Sequence, residues 1–203
     1  MGKLITLAGN SAAGKTTLAK LLSVAGGFEL LPEDNLGRPF QKRFDEDLKA
    51  FALANQIDFL LFRAEQEIFA RDHDVMAVQD GGLDQDFHVF TKRFYQSGYL
   101  SEDEYDLCTR LYGRLRECIS GPDVIVHLGA PVAVLAERMT SRGREIDIAK
   151  QGDLDALEAL LDEWLAQVDE GRVIRIDAGV DDASYTGVVD GLAREVRAAL
   201  GLE

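Results

Sequence analysis

The sequence predicts an α/β domain, a parallel sheet covered by helices on both faces. Three observations predict it. Short apolar runs alternate with helical patterns along the whole chain. The first run, 3–8, leads directly into Gly9-Asn10-Ser11-Ala12-Ala13-Gly14-Lys15-Thr16-Thr17, and a good helix former, Leu18-Ala19-Lys20-Leu21-Leu22, follows. A chain of 203 residues with 46% hydrophobic content can bury one sizeable core, and no repeat, low-complexity tract or linker divides it, so residues 1–203 read as a single domain.

The strands are expected at 3–8, 28–31, 74–79, 123–128 and 172–177. Lys3-Leu4-Ile5-Thr6-Leu7-Ala8 is apolar and partly β-branched, as a buried strand should be. The run Val75-Met76-Ala77-Val78-Gln79 ends in Asp80-Gly81-Gly82. Gly121-Pro122-Asp123 is a turn that launches the fourth strand, and Pro131 suits the first turn of the helix after it. Helices are expected near 15–25, 40–71, 84–97, 102–119, 131–141, 153–169 and 182–200.

A net charge of −14 argues against a partner that is polymeric nucleic acid or an anionic membrane, because both call for a basic surface. No apolar stretch approaches a membrane span, and the first apolar run is the strand before the glycine loop rather than a leader, so a cytoplasmic setting is expected. Cys108 and Cys118 fall on one helix about 15 Å apart in rise, too far to bridge, and read as two reduced, packed thiols.

Residues 9–17 form a phosphate-binding loop complete in every required position. Gly9 and Gly14 let the backbone curl so that successive N–H groups face a phosphate, and the following helix adds its positive end. Lys15 should reach the β- and γ-phosphates, and the Thr16 hydroxyl should ligate Mg²⁺. The chain therefore binds a nucleoside triphosphate.

Four further segments carry residues that a structural domain does not need. Glu33, in Leu31-Pro32-Glu33-Asp34-Asn35, follows the second strand and reads either as a general base or as part of an acidic turn. Gln56 and Arg63 lie seven apart on the helix 40–71, hence on one face about 10 Å apart. They suit a nucleobase edge, or else form a solvated stripe. Asp80 ends the third strand in the place of an acid that supports Mg²⁺, while Asp86 and Phe90 offer an acceptor and an aromatic face at i and i+4. Arg138, Arg142 and Arg144 cluster before and after Gly143, as a cationic lid over about 138–150 or as surface charge paired with Glu137 and Glu145.

The order of these motifs resembles the deoxynucleoside kinases, the bacterial deoxyadenosine and deoxyguanosine kinases in particular, from Lys3 to about Asp177. The resemblance implies a P-loop kinase with sheet order 2-3-1-4-5, a dimer of like or paralogous subunits, and transfer of the ATP γ-phosphoryl to the 5′-hydroxyl of a deoxynucleoside, with a purine expected. Phe51-Ala52-Leu53-Ala54-Asn55-Gln56, with Arg63, looks like the family's base-reading helix. Asp86 and Phe90 match its base-edge acid and stacking aromatic, Glu33 its catalytic carboxylate, and Asp147 the acid that contacts the sugar 3′-hydroxyl. Two positions depart from the pattern. Asp80-Gly81-Gly82 stands where the family has an acid followed by Arg-Ser, and a clamping tyrosine is replaced in the stretch around Phe44 and Asp45. With no arginine at 81, the balancing cation is expected from Mg²⁺ and Arg138, Arg142 and Arg144, with Arg38 as an outside candidate. The same departure motivates an alternative: a weakly active or non-catalytic nucleotide-binding subunit of a heterodimer.

Overall fold

In the computed structural model, residues 2–33, 37–142, 151–179, 185 and 187–202 are described, Arg142 and Gln151 by their backbone alone. In chain order the elements are β1 (Lys3–Gly9), α1 (Lys15–Gly26), β2 (Glu29–Leu31), α2 (Gln41–Glu46), α3 (Leu48–Asp72), β3 (Met76–Asp80), α4 (Leu83–Gln85), a π-helical turn (Asp86–Thr91), α5 (Lys92–Gln96), α6 (Glu102–Cys118), β4 (Val124–Gly129), α7 (Val132–Arg142), α8 (Leu154–Leu165), β5 (Val173–Asp177) and α9 (Val189–Ala199).

Leu4 through Ala8 are buried one after another, which a strand achieves only when helices cover both faces of its sheet. The strands form one parallel sheet of order β2-β3-β1-β4-β5, the order implied by the resemblance. Ile5, Leu7, Val78 and Val126 pack on one face against Leu18 and Leu22 of α1 and Leu192 and Val196 of α9. On the other face, Ala8 and Ile125 meet Leu157, Leu161 and Trp164 of α8. The register pairs Leu7 with Asp80, Gly9 with Leu128 and Leu31 with Gln79. Parallel pairing thus delivers the glycine loop, Asp80 and Glu33 to the same carboxyl edge, where open α/β sheets place their ligands.

Several element boundaries differ from the sequence expectation. The helix expected over 40–71 is two helices broken at Asp47, whose extended backbone lets its carboxylate accept from Lys49 and Ala50 N–H as an N-cap. The helix expected at 84–97 carries the π-helical turn in its middle. The helix expected at 153–169 ends at Leu165, and of the one expected over 182–200 the described part is α9. Cys108 is fully buried, and burial pushes its thiol up to about 11, but Cys118 is exposed rather than packed. Among the described residues no helix is long and apolar enough to cross a membrane.

Candidate active site

The loop between β1 and α1 lines a cleft of ≈ 490 Å³ together with Glu33, Arg63, Asp80, Gly81, Gln85, Asp86 and Phe90. Gly14 adopts φ 98°, a left-handed conformation that a side chain resists, and a Cβ there would stand 2.6 Å from the Tyr185 hydroxyl. Ala12 is also left-handed, at φ 63°. The Lys15 ammonium folds over the loop and donates to the Gly9 and Asn10 carbonyls at 2.9 and 3.0 Å. In that position it can transfer its hydrogen bonds to a phosphate without leaving the loop.

Three residues that sequence reasoning missed, Gln85, Glu158 and Tyr185, hold this loop in shape. Gln85 grips Gly9 twice: its Oε1 accepts from the Gly9 N–H at 3.1 Å and its Nε2 donates to the Gly9 carbonyl at 3.0 Å. Asn10 donates through Nδ2 to Glu158 and to the Leu154 carbonyl, tying the loop to α8, while its Oδ1 accepts from the Ser11 N–H. The Tyr185 hydroxyl donates to the Ala13 carbonyl at 3.0 Å. The contacts of Gln85, Glu158 and Tyr185 with the loop span 76 to 172 positions of chain and involve single polar residues, so no spacing or periodicity announces them.

On the acceptor side, Arg63 is fully buried and distributes its guanidinium among three partners. Its Nε donates to Asp86 at 2.8 Å, Nη2 to Glu33 at 3.0 Å and Nη1 to Gln66 at 3.3 Å. Burial opposes its charge, but Asp86 and Glu33 reverse that and hold the guanidinium protonated beyond its ordinary range. Burial raises the Asp86 carboxyl, with Arg63 opposing. The solvated-stripe alternative for Gln56 and Arg63 is thereby excluded, since both are buried. Gln56, however, does not line the cleft. Its Nε2 donates to the Asp86 carbonyl at 3.1 Å, which also accepts from the Thr91 hydroxyl at 2.9 Å. Those two donors serve the Asp86 carbonyl where the helix widens into its π-helical turn. The turn still brings Asp86 and Phe90 to the cleft wall together.

Asp80 is 1% exposed, and neither of its carboxylate oxygens accepts a hydrogen bond among the described residues. Burial and the nearby Glu33 charge raise its carboxyl, with Lys15 and Arg63 pulling the other way. A buried carboxylate beside Thr16 at the head of the glycine loop, near the Lys15 and Arg63 charges, fits a hard divalent cation that would take its remaining ligands from phosphate and water. Among the described residues no cluster of three acidic, His or Cys side chains competes as a metal site.

The lid is only partly described. Arg138 lies within α7, donates to the Ala178 carbonyl at 2.7 Å and does not line the cleft. The Arg142 side chain, Arg144 and Asp147 lie outside the described residues. Arg38 is engaged elsewhere, beside Asp58 at 3.5 Å and over the Phe62 ring at 4.4 Å. Against Glu33 stands Arg63, which the sequence pattern alone assigns to the base.

A phosphate-binding loop opposed by a carboxylate, at the carboxyl edge of a parallel sheet, defines a nucleoside-triphosphate-dependent phosphotransferase. The sequence model of the deoxynucleoside kinases matches residues 5–196, and the chain belongs to that family of ATP-dependent kinases. It is 25% identical over 198 residues to the deoxyadenosine/deoxycytidine kinase of Bacillus subtilis (strain 168), covering 94% of this chain and 91% of that protein. The deoxyguanosine kinase of the same organism is 26% identical over 160 residues, 79% of this chain and 75% of the relative. Deoxyadenosine kinase from M. mycoides shares the fold with a TM-score of 0.80, at 22% identity over 98% of each chain.

Proposed function

We propose that this kinase phosphorylates the 5′-hydroxyl of a purine deoxynucleoside, deoxyadenosine or deoxyguanosine, in nucleotide salvage. The observation that carries the reading is the placement of Glu33 and the phosphate-binding loop on one cleft, with Arg63 joining Glu33 to Asp86 and with Phe90 lining the same cleft. The relatives support the purine, since a purine deoxynucleoside stands in each of their names.

In this reading Glu33 accepts the proton of the 5′-hydroxyl as that oxygen attacks the γ-phosphorus. Lys15 and the amides of Gly9 to Thr17 hold the phosphates in line. Thr16 and Asp80 would hold Mg²⁺, whose charge would offset that of the polyphosphate. Asp86 and Arg63 fix the base edge and Phe90 lies against its face, while Gln56 supports the backbone that presents Asp86. Asp147 meets the sugar 3′-hydroxyl, and Arg138, Arg142 and Arg144 close over the polyphosphate. Leu61, Ile68 and Phe69 of α3 and Leu107 of α6 are exposed apolar side chains that support a dimer through these helices. A cytoplasmic setting, where ATP and Mg²⁺ are supplied, belongs to the same reading.

The test is a panel of nucleosides and deoxynucleosides offered with ATP and Mg²⁺ to the purified protein alone. Preferential phosphorylation of deoxyadenosine or deoxyguanosine is expected. A pyrimidine preference overturns the purine assignment. ATP binding without transfer to any nucleoside returns the chain to the alternative of a subunit that serves an active partner.

A further inference from the structure

Gly81 is the residue where a side chain is missing, and the structure shows what fills its place. Its backbone is left-handed, at φ 79°. A Cβ built on it would stand 2.7 Å from Nη2 of Arg63, closer than a stable contact, and a tight 3.3 Å from its Cζ. That same Nη2 reaches Glu33 at 3.0 Å. The guanidinium is 0% exposed and cannot withdraw into solvent, so a side chain at 81 and the Arg63–Glu33 contact compete for one volume. Meanwhile Nε stays on Asp86, 2.8 Å away, on the opposite side of the fork.

The charge balance makes the contact consequential. Glu33, Asp80 and Asp86 bring three carboxylates to the cleft against Lys15 and Arg63, and the lysine faces the loop carbonyls. A triphosphate adds further negative charge, so Glu33 needs a nearby cation to stay where an incoming hydroxyl meets it. A planar fork with fixed donors can hold two carboxylates at once in defined directions, which an ammonium cannot.

We propose that Arg63 is the positioning residue for Glu33: reaching across the space that Gly81 leaves open, it supplies from α3 the cation that the end of β3 lacks. Through the same guanidinium, the base-facing Asp86 and the reacting-end Glu33 form one rigid unit. This inference rests on Glu33 being the general base, and it makes a glycine at 81 a requirement of the network rather than a deficiency.

The experiment compares wild type, Gly81→Ala, Gly81→Asn and Glu33→Gln in steady-state kinetics with a deoxynucleoside that the wild type phosphorylates, ATP and Mg²⁺, with melting temperatures alongside. Asn tolerates the left-handed backbone better than Ala but brings the same Cβ, so it keeps the test open if the Ala variant does not fold. Both Gly81 variants should lose roughly tenfold to a hundredfold in kcat, the scale of one charged hydrogen bond. The nucleoside KM should move by less than about twofold, since the Arg63–Asp86 arm does not collide with the new Cβ. In a Glu33→Gln background, Gly81→Asn should change the residual kcat by less than about twofold, because the contact it disrupts acts through that carboxylate. Unchanged kcat in a folded Gly81 variant, a rise in KM alone, or a full loss persisting in the Glu33→Gln background each overturns the inference. Wild-type turnover by Glu33→Gln overturns the base assignment itself, an outcome distinct from all of these.

Discussion

At the phosphate end of the cleft, the groups that face a triphosphate come from nine consecutive residues, Gly9 to Thr17, and most of them are backbone amides. At the acceptor end, Glu33 follows β2, Arg63 stands on α3 and Asp86 opens the π-helical turn, and the three meet through side chains in one ion-pair network. The first end works through dipoles built into one turn of chain, and its shape is guarded by neutral, buried partners such as Gln85 and Tyr185. The second removes charges from water and sets one guanidinium, that of Arg63, against two carboxylates. Substitutions at the phosphate end should therefore cost activity and spare stability, whereas those at the acceptor end should cost both.

Lys15→Ala gives the largest expected effect on rate. Its ammonium donates to two loop carbonyls at the cleft surface, so the folded protein should keep nearly its wild-type melting temperature. Turnover should fall about a hundredfold to a thousandfold or more, as when a group that stabilises developing charge is removed. A folded Lys15→Ala protein with near-normal transfer would break the phosphate half of the comparison.

Arg63→Ala should be the most destabilising change, by about 3–5 kcal/mol, because it leaves Asp86 buried without its counter-charge. Urea denaturation of the two proteins checks this, and a loss below about 1 kcal/mol would place Arg63 among ordinary surface ion pairs instead.

Gln56→Ala sharpens the contrast within the acceptor end. The Asp86 carbonyl keeps the Thr91 hydroxyl when Gln56 is removed, so the cost should be near 1 kcal/mol. Nucleoside affinity should weaken through a displaced Asp86 while ATP affinity stays put. Titrations with each ligand decide it; equal losses for both would mean that the helix as a whole has shifted.

The smallest effect is a pH dependence that belongs to neither end. Burial lowers both His88 and His127 below the ordinary imidazole value of 6.5. The unfolded chain then takes up protons before the folded one does, so stability is complete above about pH 6.5 and declines as pH falls through that value toward the lower folded pKa values. His88→Gln combined with His127→Gln should flatten the melting temperature between about pH 7 and 5.5 relative to wild type. A wild-type profile already flat there would show that both rings protonate freely in the fold.

What the sequence determined by itself is the part of the protein written in neighbouring residues. The strands were legible because a strand buried on both faces must be an apolar run, and the loop at 9–17 because its chemistry occupies consecutive positions. Glu33 and Asp80 were legible for the same reason: each follows a strand, and parallel pairing sends strand ends to one edge. The break at Asp47 was missed because the helical pattern of α2 resumes in α3 with almost no interruption, leaving the cap as its only signal. Only the tertiary structure decided that Arg63 joins Asp86 to Glu33, that Gly81 clears its path, and that Gln85, Glu158 and Tyr185 clamp the glycine loop. A hydrogen bond between single polar groups far apart in the chain has no period and no composition, so it comes into being when packing removes those groups from water and leaves them only each other.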